Sequence, residues 1–418
     1  MNFLIKEATV IDPSSSYHNQ KVAILIDNGT IKKIGSNLKT KSDYKVIELP
    51  NLHISQGWFD SSVSFGEPGY EERETLKHGM EVAARSGFTH IALQPDMIPV
   101  ADQSTTINFI RSQGMNHAVQ LHPFGALTTG SLGEDLAELF DMYQMGALAF
   151  GDYKKAIKNP NLLKIALQYT QSFNGLIQSF PQDTAIASSG VMNEGHQSTL
   201  LGLKGLPALA EELQIQRDLF ILEYTGGRLH IPTISTEKSL NLIKAAKKKG
   251  LQVTCSVAVH NLILTDDLID TFDTRYKVLP PLRTEKDTLA LEEGVKNQVI
   301  DMVTSDHRPM DIENKKTEFE YSEYGTVGLE HSFTTLNHCF NLETTIHQLT
   351  AGKKVFNITK HAIEEGNIAD ICFFNPDGEY ITDTHHILST SKNSAFLGQP
   401  AKGKVYGVLN KGILNITK

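Results

Sequence analysis

Gly57-Trp58-Phe59-Asp60-Ser61-Ser62-Val63-Ser64-Phe65-Gly66-Glu67-Pro68-Gly69 is a short apolar run that ends in a turn-forming Glu-Pro-Gly. Alternate residues of a strand face one side, so Ser62 and Ser64 point together toward whatever lies at the strand's end. The run is one of eight candidate strands, around 54–60, 89–94, 118–124, 146–150, 174–179, 229–234, 251–257 and 299–304. Between them, apolar residues recur at three- and four-residue spacing, for instance over 72–85, 162–170, 235–249 and 285–296, which predicts helices. Strand-helix alternation argues for a parallel sheet, and eight units close a barrel. The expected fold is α/β, a (β/α)8 TIM barrel, whose chemistry sits at the C-terminal ends of its strands.

The ends of the chain read differently. Phe3-Leu4-Ile5, Val22 to Ile26 and Ile31 to Ile34 are short alternating runs, and Asn28-Gly29 is a hairpin signal between two of them. The same texture returns in Ala369 to Phe374 and Gly403 to Gly412. Neither end has enough strands to bury a face alone, so the two are expected to form one small β-sandwich module. The organisation predicted is 1–52 and 356–418 for that module and 53–355 for the barrel.

Composition narrows the partners and the compartment. A net charge of -9 supplies no basic stripe, so nucleic acid is not an expected partner. Cys255, Cys339 and Cys372 lie far apart, which fits buried thiols in a reducing compartment and neither a disulfide framework nor a cysteine zinc site. No run approaches the roughly 18 apolar residues of a membrane span, and Lys6 and Glu7 interrupt the N-terminus too early for a secretory leader. A cytoplasmic location is expected.

Motifs in the second half carry a resemblance. Gly190-Val191-Met192-Asn193-Glu194-Gly195, Leu229-His230-Ile231 with Ser235-Thr236, Pro280-Pro281-Leu282-Arg283-Thr284-Glu285, Gly325 to Glu330 and Lys392 to Gly398 occur in the order seen in long-chain dihydroorotases. From about residue 55 to the C-terminus the chain resembles that family of amidohydrolases. In the family the opening stretch reads Gly-Phe-x-Asp-x-His-x-His-x-Arg-Glu-Pro-Gly, and its two histidines grip a metal. Here they are Ser62 and Ser64. The resemblance puts the third and fourth metal histidines at Ser179 and Thr233, so all four imidazole positions carry hydroxyls, which are poor zinc ligands. Two carboxylates remain at family positions: Asp306, the general base of the family's chemistry, and Asp152, the strand-four carboxylate. Substrate-holding positions are altered as well, to Gly66, Asp96, Leu279 and Met310. Losing a guanidinium at Gly66 and gaining a carboxylate at Asp96 predicts a mouth that repels anions.

Opening dihydroorotate to carbamoyl aspartate needs a hydroxide at neutral pH and a polarised amide. A bound metal supplies both by lowering the pKa of its water from about 15.7 to roughly 7. With most ligands missing, no cofactor is expected, and the chain reads as a pseudoenzyme of pyrimidine biosynthesis. By resemblance to the histidine-poor members of the family, it is expected to form an oligomer with aspartate carbamoyltransferase as a structural partner. The alternative is an active dihydroorotase, or a hydrolase of another cyclic amide, with an atypical zinc site rebuilt from His260 or His307 beside Asp152 and Asp306. A ligand sensor using the emptied pocket is a third reading. His53 and His230 read as packing residues, and Lys247-Lys248-Lys249 as the solvated end of a helix.

Overall fold

Barrel and end module meet at Gly57, where a Cβ would lie 2.1 Å from Thr89 Oγ1 and 2.2 Å from Asp370 Oδ1, so the junction requires a glycine. The computed structural model describes residues 1–36, 38 and 44–417. Before the junction, β1 (Phe3–Val10), β2 (Lys21–Asp27), β3 (Thr30–Gly35), β4 (Lys45–Ile47) and β5 (His53–Gln56) belong to one sheet. After it, β6 (Trp58–Val63) begins the barrel, so the single strand expected at 54–60 is two strands in two sheets. Asn28 and Gly29, at φ +47 and +81, form the two-residue hairpin that the sequence predicts between β2 and β3.

The barrel continues through β7 (Phe88–Leu93), β8 (Gln120–Pro123), β9 (Leu176–Gln178), β10 (Arg228–Ile231), β11 (Val253–Ala258) and β12 (Met302–Thr304), with parallel pairing along the series. Its fourth strand shrinks to Phe150, which bridges Gly125 on one side and Ile177 on the other. Small residues around it, Gly146, Ala147, Ala149 and Gly151, have little β-propensity, yet Phe150 still donates to Leu176 and accepts from Gln178. A bridge from Val63 to His307 closes the circle. The fold is a TIM barrel, and every residue of β6 and β7 is buried, as strands covered on both faces require.

Helices cover the outside, among them Leu76–Arg85, Pro160–Thr170, Glu237–Lys248 and Glu285–Lys296. Three of these begin at a threonine N-cap, Thr75, Thr236 and Thr284, whose side chain accepts from a first-turn amide and contributes about 1 kcal/mol. Lys247 differs from its reading as a solvated residue: its ammonium lies 2.5 Å from Asp301 Oδ2 and donates to the Val299 carbonyl.

After the barrel, β13 (Ile371–Ile381) pairs with β5, followed by β14 (Pro400–Asn410) and β15 (Ile413–Ile416), so both chain ends share the sheet. Trp58 ties it to the barrel, its ring 5.0 Å from that of Phe333 and 5.9 Å from those of Phe88 and Phe374. Truncating such a side chain to alanine costs roughly 3–5 kcal/mol. No described helix is long and apolar enough to cross a membrane.

Candidate functional site

The mouth of the barrel is held from beneath by Asp60. Its carboxylate accepts from the Ser62 and Ser305 amides and from Thr304 Oγ1, linking the first strand to the last. Burial pushes its pKa up, against the pull of those donors. Ser62 then donates to Asp306 Oδ1 at 2.9 Å. The other oxygen of Asp306 meets the Lys154 ammonium at 2.6 Å, and Lys154 also donates to the Leu279 carbonyl. Tyr153 closes the cluster, its hydroxyl 3.4 Å from Asp306 Oδ1. Burial first, and Asp306 second, raise that phenol well above its ordinary range. Burial lowers the Lys154 pKa, and Asp306 offsets part of the loss.

A second charge pair lies alongside. Ser64 donates to Asp96 Oδ2 at 2.9 Å, and Arg308 Nε stands 3.8 Å from the same oxygen. The mouth expected to repel anions is therefore internally balanced, with Lys154 on Asp306 and Arg308 beside Asp96. Neither cation figured in the sequence reading. Lys154 follows Asp152 by two residues at the end of the fourth strand, and Arg308 follows Asp306 by two, so strand-end position was the available signal.

Other predicted residues have local partners. Asp152 accepts from the Leu127 and Thr128 amides at 3.0 and 3.1 Å and from Thr128 Oγ1 at 2.5 Å, and so fastens the loop after the third strand. Ser179 donates to Asp218 of the outer helix Ala208–Thr225. Thr233 sits at φ +47, a conformation ill suited to a β-branched residue, and its amide donates to Ser256 Oγ. At Gly66, φ is +106 and a Cβ would lie 2.6 Å from the Tyr70 carbonyl oxygen, so no longer side chain fits that turn. Leu279 packs in an apolar cluster with Phe180, and the Met310 amide donates to Asn393 Oδ1.

The two candidate rescue ligands differ. His307 accepts the Gly328 amide at Nδ1 and packs edge-on to Phe65, which leaves only its Nε2 unpaired. His260 is fully buried with neither ring nitrogen paired, and burial lowers its pKa to about 4, although Asp306 pulls the other way. Zinc takes about three or four protein ligands. Among the described residues no three His, Cys, Asp or Glu side chains are grouped to hold a metal ion, because Asp152 is committed to a loop and Asp306 to an ammonium. The donor set does not fit zinc.

Relatives with clear sequence identity to this chain include proteins named dihydroorotase. A family model described as dihydro-orotase-like matches residues 53–239. The chain is 37% identical over 419 residues to a dihydroorotase of Pelotomaculum thermopropionicum, covering 99% of this chain and 98% of that one. It is 35% identical over 410 residues to a dihydroorotase of Geobacter metallireducens, with 96% of each covered. Among solved structures it is similar to the L-hydantoinase (dihydropyrimidinase) of Arthrobacter aurescens, with TM-score 0.85 and 21% identity over 98% of this chain and 95% of that one.

Proposed function

This chain belongs to the dihydroorotase family, and from that premise we propose that it serves pyrimidine biosynthesis as a non-catalytic member. The reading takes Ser62, Ser64, Ser179 and Thr233 as replacements of the metal-binding histidines. One observation carries it: the Lys154 ammonium lies 2.6 Å from Asp306, the family's general base. A protonated lysine so placed supplies positive charge without a Lewis-acidic centre or a bound water to ionise. With Tyr153 and Ser62 also on that carboxylate, Asp306 is engaged by three donors of its own chain.

The proposed role is structural, in an oligomer with aspartate carbamoyltransferase. An exposed apolar stripe supports assembly: Leu209, Leu213, Phe220 and Tyr224, at four- and seven-residue spacing along the helix Ala208–Thr225, are 50%, 44%, 63% and 80% exposed. Co-purification with the carbamoyltransferase, and loss of the complex on Phe220→Glu, are the expected results. A chain that remains monomeric beside that enzyme would contradict the role.

His260 favours a second reading, a cyclic-amide hydrolase with an atypical metal site, since a buried imidazole with two unpaired nitrogens next to Asp306 is a potential ligand. It predicts turnover of dihydroorotate that His260→Gln and Asp306→Asn each abolish. The non-catalytic reading predicts no turnover in any of the three proteins.

A further inference from the structure

At the lower, N-terminal end of the barrel a cavity of about 420 Å³ opens between the strands and the end sheet. Its wall includes His90 of β7, Gln120 and His122 of β8, Asp370 just before β13, and Lys411 in the turn between β14 and β15. A second cavity of about 300 Å³ shares Gln120, His122 and Lys411 and adds Arg111.

A chain of contacts runs into this space. Lys353 Nζ meets Asp370 Oδ2 at 2.6 Å, with both side chains buried. His90 Nε2 stands 3.4 Å from the same oxygen, and His90 Nδ1 stands 2.9 Å from His122 Nε2. Burial opposes ionisation of Asp370, but Lys353 and His90 outweigh it and hold the carboxyl far below its usual range. Facing a carboxylate, neutral His90 carries its proton on Nε2 and presents a lone pair at Nδ1, so His122 donates from Nε2. The last nitrogen, His122 Nδ1, is then a bare acceptor on the wall of both cavities, and no described residue donates to it.

Charge near that nitrogen is positive. Asp370 is matched by Lys353, which leaves Lys411 and Arg111 without a carboxylate on the wall of either cavity. Burial lowers His122 to about 3, and His90, Lys353, Arg111 and Lys411 all lower it further. The site thus asks for an anion that also carries a proton to donate. A carboxylate at neutral pH has no such proton, and sulfate has none either. Inorganic phosphate has both at neutral pH, and a monoester has both in its monoanion, below a second pKa of about 6.

We propose that the second of these cavities, whose wall brings Arg111, His122 and Lys411 together, binds a phosphate group with an ionisable proton, either free or as a small monoester, with Lys411 and Arg111 on its anionic oxygens and His122 Nδ1 accepting its P–OH. None of this depends on whether the mouth is catalytic.

Titration calorimetry of the full chain with inorganic phosphate, glycerol phosphate and sulfate, at matched ionic strength near pH 6, where the monoester keeps a substantial share of its P–OH, tests it. Saturable binding of phosphate or the monoester, with sulfate roughly tenfold weaker for the lost hydrogen bond, is expected. Inorganic phosphate alone would identify a free ion as the ligand, and tighter monoester binding would identify an esterified one. His122→Phe should remove the preference over sulfate, and Lys411→Asn, which suits the φ of +51 at that turn, should weaken all three roughly tenfold. If His122→Phe does not fold, Lys411→Asn decides. No saturable phosphate binding, or binding unchanged in the folded variants, overturns the proposal.

Discussion

At the upper end of the barrel Lys154 lies 2.6 Å from Asp306, and at the lower end Lys353 lies 2.6 Å from Asp370. Above, the carboxylate's remaining contacts go to Ser62 and Tyr153 of the same chain. Below, Asp370 faces His90, which passes the contact to His122 and so to open space. The same kind of buried ion pair is therefore joined by two further donors to its carboxylate at one end and leads through His90 to an imidazole nitrogen without a described donor at the other.

The strongest test of this parallel is to break each pair. Lys353 is completely buried and Asp370 nearly so, and Asp370 Oδ1 already has no donor. Lys353→Met should lower the unfolding free energy by roughly 3–5 kcal/mol in urea titrations, since it leaves a buried carboxylate uncompensated. Lys154→Met should cost somewhat less, about 3 kcal/mol, because Tyr153 and Ser62 still donate to Asp306. Adding Asp306→Asn should recover much of that loss. Equal, negligible effects at both ends would show that neither pair holds its surroundings.

Acid should weaken the fold at both ends. Burial holds His260 near the mouth at about 4 and His230 toward the lower end at about 3. Folded pKa values below the unfolded value of about 6.5 mean that the unfolded chain binds more protons between those limits. Stability is therefore full above pH 6.5 and falls as pH drops, by roughly 1–2 kcal/mol for each histidine at pH 5. Unfolding at pH 7 and pH 5, repeated with His230→Gln and His260→Gln, should show a smaller pH effect in each variant.

The smallest effect is expected away from both ends. Phe220→Ser, on the exposed helix stripe, should change stability by no more than about 0.5 kcal/mol while reducing association with a partner. A large loss of stability there would mean the stripe serves this chain's own packing.

Barrel and end sheet were legible because strand-helix alternation and short apolar runs are local patterns. The junction was not, since His53–Gln56 and Trp58–Val63 are one apolar stretch split by a glycine that only a three-dimensional approach of Thr89 and Asp370 explains. In the mouth, motif positions located Asp306, Ser62 and Ser64. Lys154 and Arg308 escaped because a cation near a strand end looks solvated until its carboxylate is brought to it. The His90–His122 pair was equally hidden, its members 32 residues apart and meeting only through neighbouring strands.

The proposed non-catalytic role requires that the upper end of the barrel hold no zinc. Zinc content and dihydroorotate hydrolysis, measured together on chain purified without chelator and on Asp306→Asn, test it most directly. Sub-stoichiometric zinc, the same in both proteins, and no turnover are expected. One zinc per chain, lost together with activity in Asp306→Asn, would contradict it.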